Sequence, residues 1–167
     1  MRFNFRPAEY TPLSPLEKAL EIIAAAGVVL SVLLLALRWS ALPAAIPSHF
    51  GLSGAPDASG GKGMLAVMAA VNVVLYLLLT ALSRIPRLFN YPWPVTVENA
   101  RRQYQIGRTA LSTMKAEFAW VLLYVEWQII QIGLGKSQGF SFVFLPVVIF
   151  LQTVLFAYFI HLAYRER

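Results

Sequence analysis

The sequence predicts an all-α fold, an integral membrane four-helix bundle with an interfacial helix before the third span. The chain of 167 residues is 58% hydrophobic and 13% charged, whereas soluble domains carry about 25% charged residues. Four apolar runs are each long enough to cross a hydrocarbon core of about 30 Å as a helix. Helices are the expected form of these runs because lipid offers no hydrogen-bond partner to the backbone.

The whole chain, residues 1–167, is expected to form a single transmembrane domain. The four spans are predicted at about residues 17–39, 64–82, 113–133 and 140–164. The first run is longer than the ~7–15 apolar residues of a signal peptide, so we interpret it as a retained helix. Ser14, Pro15 and Glu17 fit its start, as the N-cap, the first helical residue and the capping-box partner.

Lys and Arg collect on one side of the predicted membrane. With four spans, the N-terminal segment, the connection between spans two and three and the C-terminal tail share a side. These segments hold 3, 6 and 2 basic residues, which is 11 of the 14 in the chain, and the other side holds Arg38, Lys62 and Lys136. The positive-inside rule therefore places both termini in the cytoplasm.

The outer connection, residues 39–63, is rich in Pro and Gly, which argues against a long helix. It brings His49, Asp57 and Lys62 close together in sequence. One interpretation is a structured cap, in which Gly54 and Gly60 make turns and Asp57 caps the next helix. The other is a binding surface for a ligand outside the membrane, and the two interpretations are compatible.

The inner connection has two parts. Residues 85–94 are broken by prolines and rich in aromatic residues, which suits the headgroup region. Thr96 is the predicted N-cap of a helix, and Glu98 in its first turn suits the helix dipole. Residues 100–111 are interpreted as a helix that lies on the membrane and could run into the third span, with a docking site for a cytoplasmic protein as the alternative. Anionic headgroups are the expected partners of its arginines, Arg101, Arg102 and Arg108.

Two polar residues stand well inside the spans, Asn72 and Glu126. A charge at the centre of a membrane helix costs roughly 2.5–3.5 kcal/mol. Glu117 and Glu126 are nine residues apart, so they point to opposite faces of a helix and do not form a carboxylate pair. Glu126 is expected to face the bundle interior, to be protonated or to lie near the outer surface, with Lys62 or His49 as partner. A structural hydrogen bond and a ligand or proton site are both open.

The sequence favours a protein that is not an enzyme. It contains no nucleophile elbow, phosphate loop, dinucleotide fingerprint or H-E-x-x-H pattern, and it has no cysteine. His49 and His161 are predicted at opposite membrane faces, and a zinc site needs about three ligands, so no metal site is expected. No cofactor is evident and no nucleic-acid partner is expected, whereas bound lipid is. Axial ligation of a pigment by His49 or His161 stays open.

Two motifs flank the second span. The outer motif consists of His49, Phe50, Gly54, Pro56, Asp57 and Lys62. The inner motif consists of Tyr91, Pro92, Thr96, Glu98, Asn99 and Tyr104. In this order, and over about residues 16–135, they resemble the short membrane module of SdpI-like bacterial proteins, many of which have no assigned function.

The resemblance implies a multi-pass protein of the bacterial cytoplasmic (inner) membrane. SdpI-like proteins are linked to immunity against a secreted antimicrobial peptide, and some to membrane signalling. The expected function is therefore immunity or sensing of a hydrophobic or peptide ligand through residues 39–63. The alternative is a small accessory subunit of an electron-transport or photosynthetic complex that contacts pigment or lipid. Other membrane subunits or a second copy of the chain are the expected protein partners.

Overall fold

A computed structural model describes residues 12–167 as four α-helices and one small antiparallel sheet. The helices are α1 (Pro15–Arg38), α2 (Gly63–Ser83), α3 (Ala100–Gly133) and α4 (Phe144–Arg165), and the strands are β1 (Ala45–Phe50) and β2 (Pro56–Gly61). Short 3-10 turns follow α1 and α2, at Trp39–Ala41 and Pro86–Leu88. Two basic residues of the predicted cytoplasmic side, Arg2 and Arg6, lie outside the described residues.

Three segments of the described chain are long and apolar enough to cross a membrane: Pro15–Ala41, Gly63–Ser83 and Phe144–Arg165. α3 has 34 residues, which corresponds to about 51 Å of helix. It is not among the three because it is more polar, with charged residues in its first turns and near its middle and with Glu126 two turns before its end. These helices fit a membrane protein.

The predicted start of the first helix is confirmed. The Ser14 hydroxyl accepts a hydrogen bond from the Glu17 backbone N–H (3.2 Å), and a Glu17 carboxylate oxygen accepts one from the Ser14 N–H (2.7 Å). This reciprocal arrangement is a capping box, and Pro15 follows the cap as the first helical residue.

The prediction of an all-α fold is wrong at the outer connection, where β1 and β2 form a hairpin. The Pro- and Gly-rich composition of residues 39–63 predicts turns rather than strands. Pro47 and Pro56 are nevertheless tolerated, because every strand of a two-stranded sheet is an edge strand. The pairing is irregular around His49, which lies opposite Ala58. This local irregularity hides the alternation by which a strand is recognised in a sequence.

α1, α2 and α3 pack against one another and form the centre of the described structure. Residues 17, 21 and 31 of α1 contact residues 108, 115 and 126 of α3 in the same order, so the two helices run in parallel. Asn72 contacts Ala119 and the later Thr80 contacts the earlier Lys115, so α2 runs antiparallel to α3.

The predicted interfacial helix is not a separate element. Residues 100–111 form the first three turns of α3, which continues without a break to Gly133. Contacts from this part of α3 to the start of α1 hold it alongside the other helices. Nothing in the sequence between residues 100 and 133 interrupts a helix, since it contains no proline.

α4 lies at the edge of the structure. It begins at Phe144 rather than near residue 140, and Ala163 is its one buried residue. It packs on α3 near its two ends. At one end Tyr124 lies against Phe144, with ring centroids 4.8 Å apart. At the other the Gln103 amide donates to the backbone oxygens of Ala163 (2.8 Å) and Glu166 (3.0 Å).

Candidate functional site

The hairpin is attached to the helices through its apolar side. Ile46 of β1 and Leu42 just before it are almost fully buried. They belong to a set of buried side chains that we call the outer cluster: Leu35, Leu42, Ile46, Leu65, Ala69, Ile129 and Ile130. The hairpin therefore closes one end of the three-helix core.

The tip of the hairpin is held by the connection between α3 and α4. The Phe140 N–H donates to the Gly54 oxygen (2.8 Å), and the Phe50 ring meets the Phe140 ring edge-on at 4.7 Å. Gly54 has a φ of 79°, and a Cβ atom there would stand 2.2 Å from the Phe140 oxygen. Only glycine fits this position without displacing the neighbouring backbone.

Lys62 fixes the base of the hairpin. Its Nζ donates to the backbone oxygens of Trp39 (3.0 Å) and Leu42 (3.3 Å) and stands 4.9 Å from the centroid of the Trp39 ring. Backbone oxygens at a helix end lack intrahelical partners, and a basic side chain satisfies them. Lys62 thereby ties the start of α2 to the end of α1.

His49 and Asp57 form an exposed ion pair on the hairpin. The His49 Nδ1 lies 2.6 Å from Asp57 Oδ1, and the two side chains are 71% and 51% exposed. The predicted role of Asp57 as a cap of α2 is wrong, since its carboxylate faces His49 and α2 has no side-chain cap. The pair can accept or donate hydrogen bonds to a ligand, and it offers two of the three or more ligands that a metal needs.

The six residues of the outer motif thus divide into two groups. Phe50, Gly54 and Lys62 attach the hairpin, and Pro56 lies in β2 opposite Phe50. His49 and Asp57 are not needed for these attachments. Because chemistry toward a ligand requires access, the motif reduces to one candidate site, the His49–Asp57 pair.

Aromatic residues of the inner motif pack against α3. The Tyr91 hydroxyl donates to the Pro86 oxygen (2.9 Å), and its ring centroid lies 5.7 Å from that of the buried Tyr104. A Cβ atom at Gly107 would come within 3.2 Å of Tyr91. Pro92 borders a neighbouring groove. These contacts assign a structural role to this part of the motif.

The polar residues of the inner motif form the turn before α3. The Asn99 side chain accepts from the Thr96 N–H (2.8 Å), the Thr96 hydroxyl accepts from the Asn99 N–H (3.4 Å), and the Asn99 amide donates to Pro94 (3.2 Å). A hydrogen bond from the Thr96 side chain lowers the pKa of the exposed Glu98 carboxyl. α3 begins after Asn99, three residues later than the predicted N-cap.

A buried ion pair joins the starts of α1 and α3. The Arg108 Nε and Nη2 donate to the two carboxylate oxygens of Glu17, at 2.8 and 3.0 Å, and Nη2 also donates to the Pro12 oxygen (2.9 Å). The prediction that Arg108 meets lipid headgroups is wrong, because its side chain is turned into the protein.

A second cluster of charged and polar groups lies one to two turns farther along these helices. Lys115 of α3 is bonded to Glu21 of α1 and donates to the Thr80 hydroxyl of α2 (2.8 Å). The Tyr76 hydroxyl donates to Glu21 (2.7 Å). All three core helices contribute, so this cluster fixes their relative positions.

The spacing of residues along α3 predicts that these clusters share one face of the helix. Arg108, Ser112, Lys115, Ala119 and Glu126 follow one another at intervals of 4, 3, 4 and 7 residues. Such intervals place all five on one face of a helix. All five are buried, and this face of α3 looks toward α1 and α2.

Glu126 and Asn72, the polar residues predicted inside the spans, are also buried. Asn72 donates to the Ala119 oxygen across α2 and α3 (3.3 Å), and the Ser31 hydroxyl of α1 donates to Glu126. The predicted partners of Glu126 are wrong: Lys62 binds backbone oxygens and His49 binds Asp57. Of the predicted environments, the structure supports the interior location for Glu126.

Two grooves border α4 where it stands away from the core. One, of about 410 Å³, lies between α4, α3 and the inner connection, and the other, of about 600 Å³, lies between α4, α3 and α1. Both are largely apolar in lining. His161 is exposed on α4 near its C-terminal end. Among residues 12–167, no three His, Asp or Glu side chains converge as a metal site would require.

Comparisons with known proteins find similarity to proteins without an assigned role. Residues 26–73, which contain the second half of α1, the hairpin and the first half of α2, match a family described as a domain of unknown function, DUF1648. An uncharacterized protein of Archaeoglobus fulgidus is 29% identical over 110 residues, which cover 59% of this chain and 60% of that protein. The chain thus spans about three fifths of that relative. No solved structure matches the present chain.

Proposed function

We propose that this chain is a non-enzymatic, SdpI-like membrane protein that binds a hydrophobic or peptide ligand through its outer hairpin. One observation carries the proposal: the hairpin is fixed at its base, underside and tip, yet its His49–Asp57 pair stays exposed. A preorganised surface loses little conformational entropy when a ligand binds. The segment that matches the family of unknown function contains the whole hairpin.

The proposed arrangement in the membrane has four spans, with α3 as the third. The buried charges of α3 do not prevent this, because Arg108 and Lys115 are paired with carboxylates of α1 and intramembrane charges are tolerated when they pair inside a protein. The basic residues of the connection between α2 and α3 support cytoplasmic termini. With this orientation, the hairpin faces outward from a bacterial inner membrane.

The orientation predicts which thiol a membrane-impermeant maleimide reaches in intact cells. The chain has no cysteine, so Leu52→Cys at the exposed hairpin turn and Leu88→Cys in the inner connection each create a single thiol. We expect labelling of Leu52→Cys in intact cells and of Leu88→Cys after permeabilisation. The reverse pattern would place the hairpin in the cytoplasm and contradict the proposal.

The binding proposal predicts that His49→Asn combined with Asp57→Asn removes protection against a membrane-active peptide. A hydrogen bond to a charged group contributes about 1.5–3 kcal/mol, so we expect at least about a tenfold loss in protection or affinity. The measurement is growth of a sensitive bacterium that produces the protein, challenged with a panel of secreted antimicrobial peptides.

The matched control for this experiment is Ser59→Ala, an exposed residue of the same hairpin. Membrane levels of every variant are measured in parallel. If the wild-type protein protects against a peptide and the double variant protects equally at equal levels, the His49–Asp57 pair is not the binding site.

The second candidate function is that of an accessory subunit in a larger membrane complex. The observation in its favour is α4, whose apolar surface is exposed along nearly its whole length and is bordered by two grooves. A partner helix, a second copy or lipid would fill these grooves, and His161 is accessible to a pigment. Mass measurement after gentle detergent extraction separates the candidates, since a lone monomer or homodimer without pigment absorbance would count against a subunit.

A further inference from the structure

Glu126 is fully enclosed by protein at the face that α3 turns toward α1. Its exposed fraction is 0%. One carboxyl oxygen, Oε2, accepts a hydrogen bond from the Ser31 hydroxyl. The other, Oε1, has no hydrogen-bond partner among the residues that the structure describes. Buried polar atoms are nearly always paired, so an orphaned carboxyl oxygen requires an explanation.

The basic side chains of the core are engaged elsewhere. Lys115 is bonded to Glu21, Arg108 to Glu17, and Lys62 to backbone oxygens. Lys115 precedes Glu126 by 11 residues, which places it about 16 Å away along the helix. None of the three neutralises Glu126.

Other titratable groups on the elements that pack here lie elsewhere along the helices or on the hairpin surface. Arg38 is seven residues beyond Ser31 on α1, about 10 Å farther along. Glu117 is nine residues before Glu126 on α3, about 13 Å away. On α3 there are also Tyr124 and, in the first turns, Arg101, Arg102 and Tyr104. On the other elements there are Lys18 at the start of α1, Tyr76 on α2, and His49 and Asp57 on the hairpin.

The surroundings of Glu126 change character along the core. On the inner side lie Asn72 and the Glu21–Lys115 cluster. On the outer side lies the outer cluster, which includes Ile129 and Ile130 of α3 and Ile46 of the hairpin. Apolar side chains of α3 and of the hairpin therefore follow Glu126 on the side proposed to face outward.

We propose that Glu126 is a membrane-embedded proton-binding site, occupied at neutral pH. An ionised carboxylate without a cation in an apolar interior is strongly disfavoured, and the group binds a proton instead. Binding places the proton on Oε2, gives a neutral acid and reverses the Ser31 hydrogen bond, in which the carboxyl O–H now donates to the Ser31 oxygen. A lone hydroxyl partner suffices for a neutral acid but not for a carboxylate.

Infrared spectroscopy of the full chain in lipid vesicles tests this proposal. At neutral pH we expect the carbonyl stretch of a protonated carboxyl group in the wild-type protein, absent from Glu126→Gln. Gln keeps the size and the neutrality of the acid, so the variant should retain its fold. If Glu126→Gln instead lacks a carboxylate band that the wild-type protein shows, Glu126 is ionised and the proposal is overturned. A carboxylate band that differs between sodium and potassium buffers would do the same and indicate a metal-cation site.

Carbodiimide labelling supplies an independent readout, because an apolar carbodiimide reacts with protonated carboxyl groups within membranes. We expect dicyclohexylcarbodiimide to modify the peptide containing Glu126 in the wild type and in the control Glu117→Gln, with background labelling in Glu126→Gln. Glu117 is the matched control because it lies on the same helix and also has a buried carboxyl oxygen without a partner among the described residues, but its side chain is partly exposed. Equal labelling of the wild type and Glu126→Gln would contradict a protonated Glu126.

Discussion

Replacing Arg108 with Met is expected to lower the free energy of unfolding by about 3–5 kcal/mol, the cost of breaking a buried ion pair from one side. The side chains of Arg108 and Glu17 are 7% and 0% exposed. Met fills much of the same volume but leaves the Glu17 carboxylate buried without its cation. The loss is measured as a shift of the unfolding transition in detergent micelles.

The chain offers a matched control on the same helix. Arg102 pairs with Glu166 at 2.7 Å, but these side chains are 72% and 38% exposed. An exposed pair contributes about 0–1 kcal/mol, so Arg102→Met is expected to change stability little. Equal losses of stability in Arg102→Met and Arg108→Met would show that burial does not determine how much each ion pair contributes to the free energy of unfolding.

A double substitution separates the pair from the packing around it. Glu17→Gln removes the buried charge and keeps a side chain that suits a capping box. In the Arg108→Met background it should restore part of the lost stability, because the uncompensated carboxylate is gone. A double variant that is less stable than Arg108→Met alone would mean that the Ser14–Glu17 cap, rather than the charge, dominates.

The positions of the helices were predictable because length and apolar character are local properties. The starts of α1 and α2 fall within a few residues of the predicted spans, and the Ser14–Glu17 capping box was read directly from its spacing. The hairpin was not predicted, because prolines and an irregular pairing around His49 disrupt the alternation of a strand. The four-span arrangement stays a proposal, since three segments qualify by apolar character.

The contacts within the core could not be predicted, because they join residues that are distant in sequence. Glu17 and Arg108 are 91 residues apart, and Ser31 and Glu126 are 95 apart. The rotation of each helix about its axis decides which groups meet, and apolar runs do not reveal that rotation. For this reason the sequence predicts lipid headgroups as the partners of Arg108, although its side chain faces Glu17. The regular spacing of polar residues on α3 is the signal that would have corrected this.

Replacing Gly54 with Ala is expected to detach the hairpin tip from the connection between α3 and α4. Two costs combine here: a positive φ, which an L-residue adopts at about 1–2 kcal/mol, and a Cβ atom 2.2 Å from the Phe140 oxygen. Backbone atoms cannot move aside as a flexible side chain can, so the Phe140 N–H bond to Gly54 is lost with the contact.

Two glycines separate these costs. Gly135 has a φ of 70° and open space around its Cβ position, so Gly135→Ala incurs the conformational cost alone. Gly61 has open space and no positive φ, so Gly61→Ala should be close to neutral. The expected order of destabilisation is Gly54→Ala, then Gly135→Ala, then Gly61→Ala, measured by thermal unfolding and by protease cleavage in the hairpin. Equal effects at Gly54 and Gly135 would mean that the contact with Phe140 contributes nothing.

Gly54→Ala also tests whether attachment of the hairpin matters for the proposed binding. His49 and Asp57 are unchanged in this variant, and the buried ion pairs of α1 and α3 lie at the other end of the core. If a fixed hairpin prepares the His49–Asp57 pair for a ligand, Gly54→Ala should weaken protection in the peptide challenge while the protein stays in the membrane. In the contrary outcome, the variant keeps its protection although its hairpin tip is detached and sensitive to protease. The His49–Asp57 pair would then act without an attached hairpin, and preorganisation would not be the basis of binding.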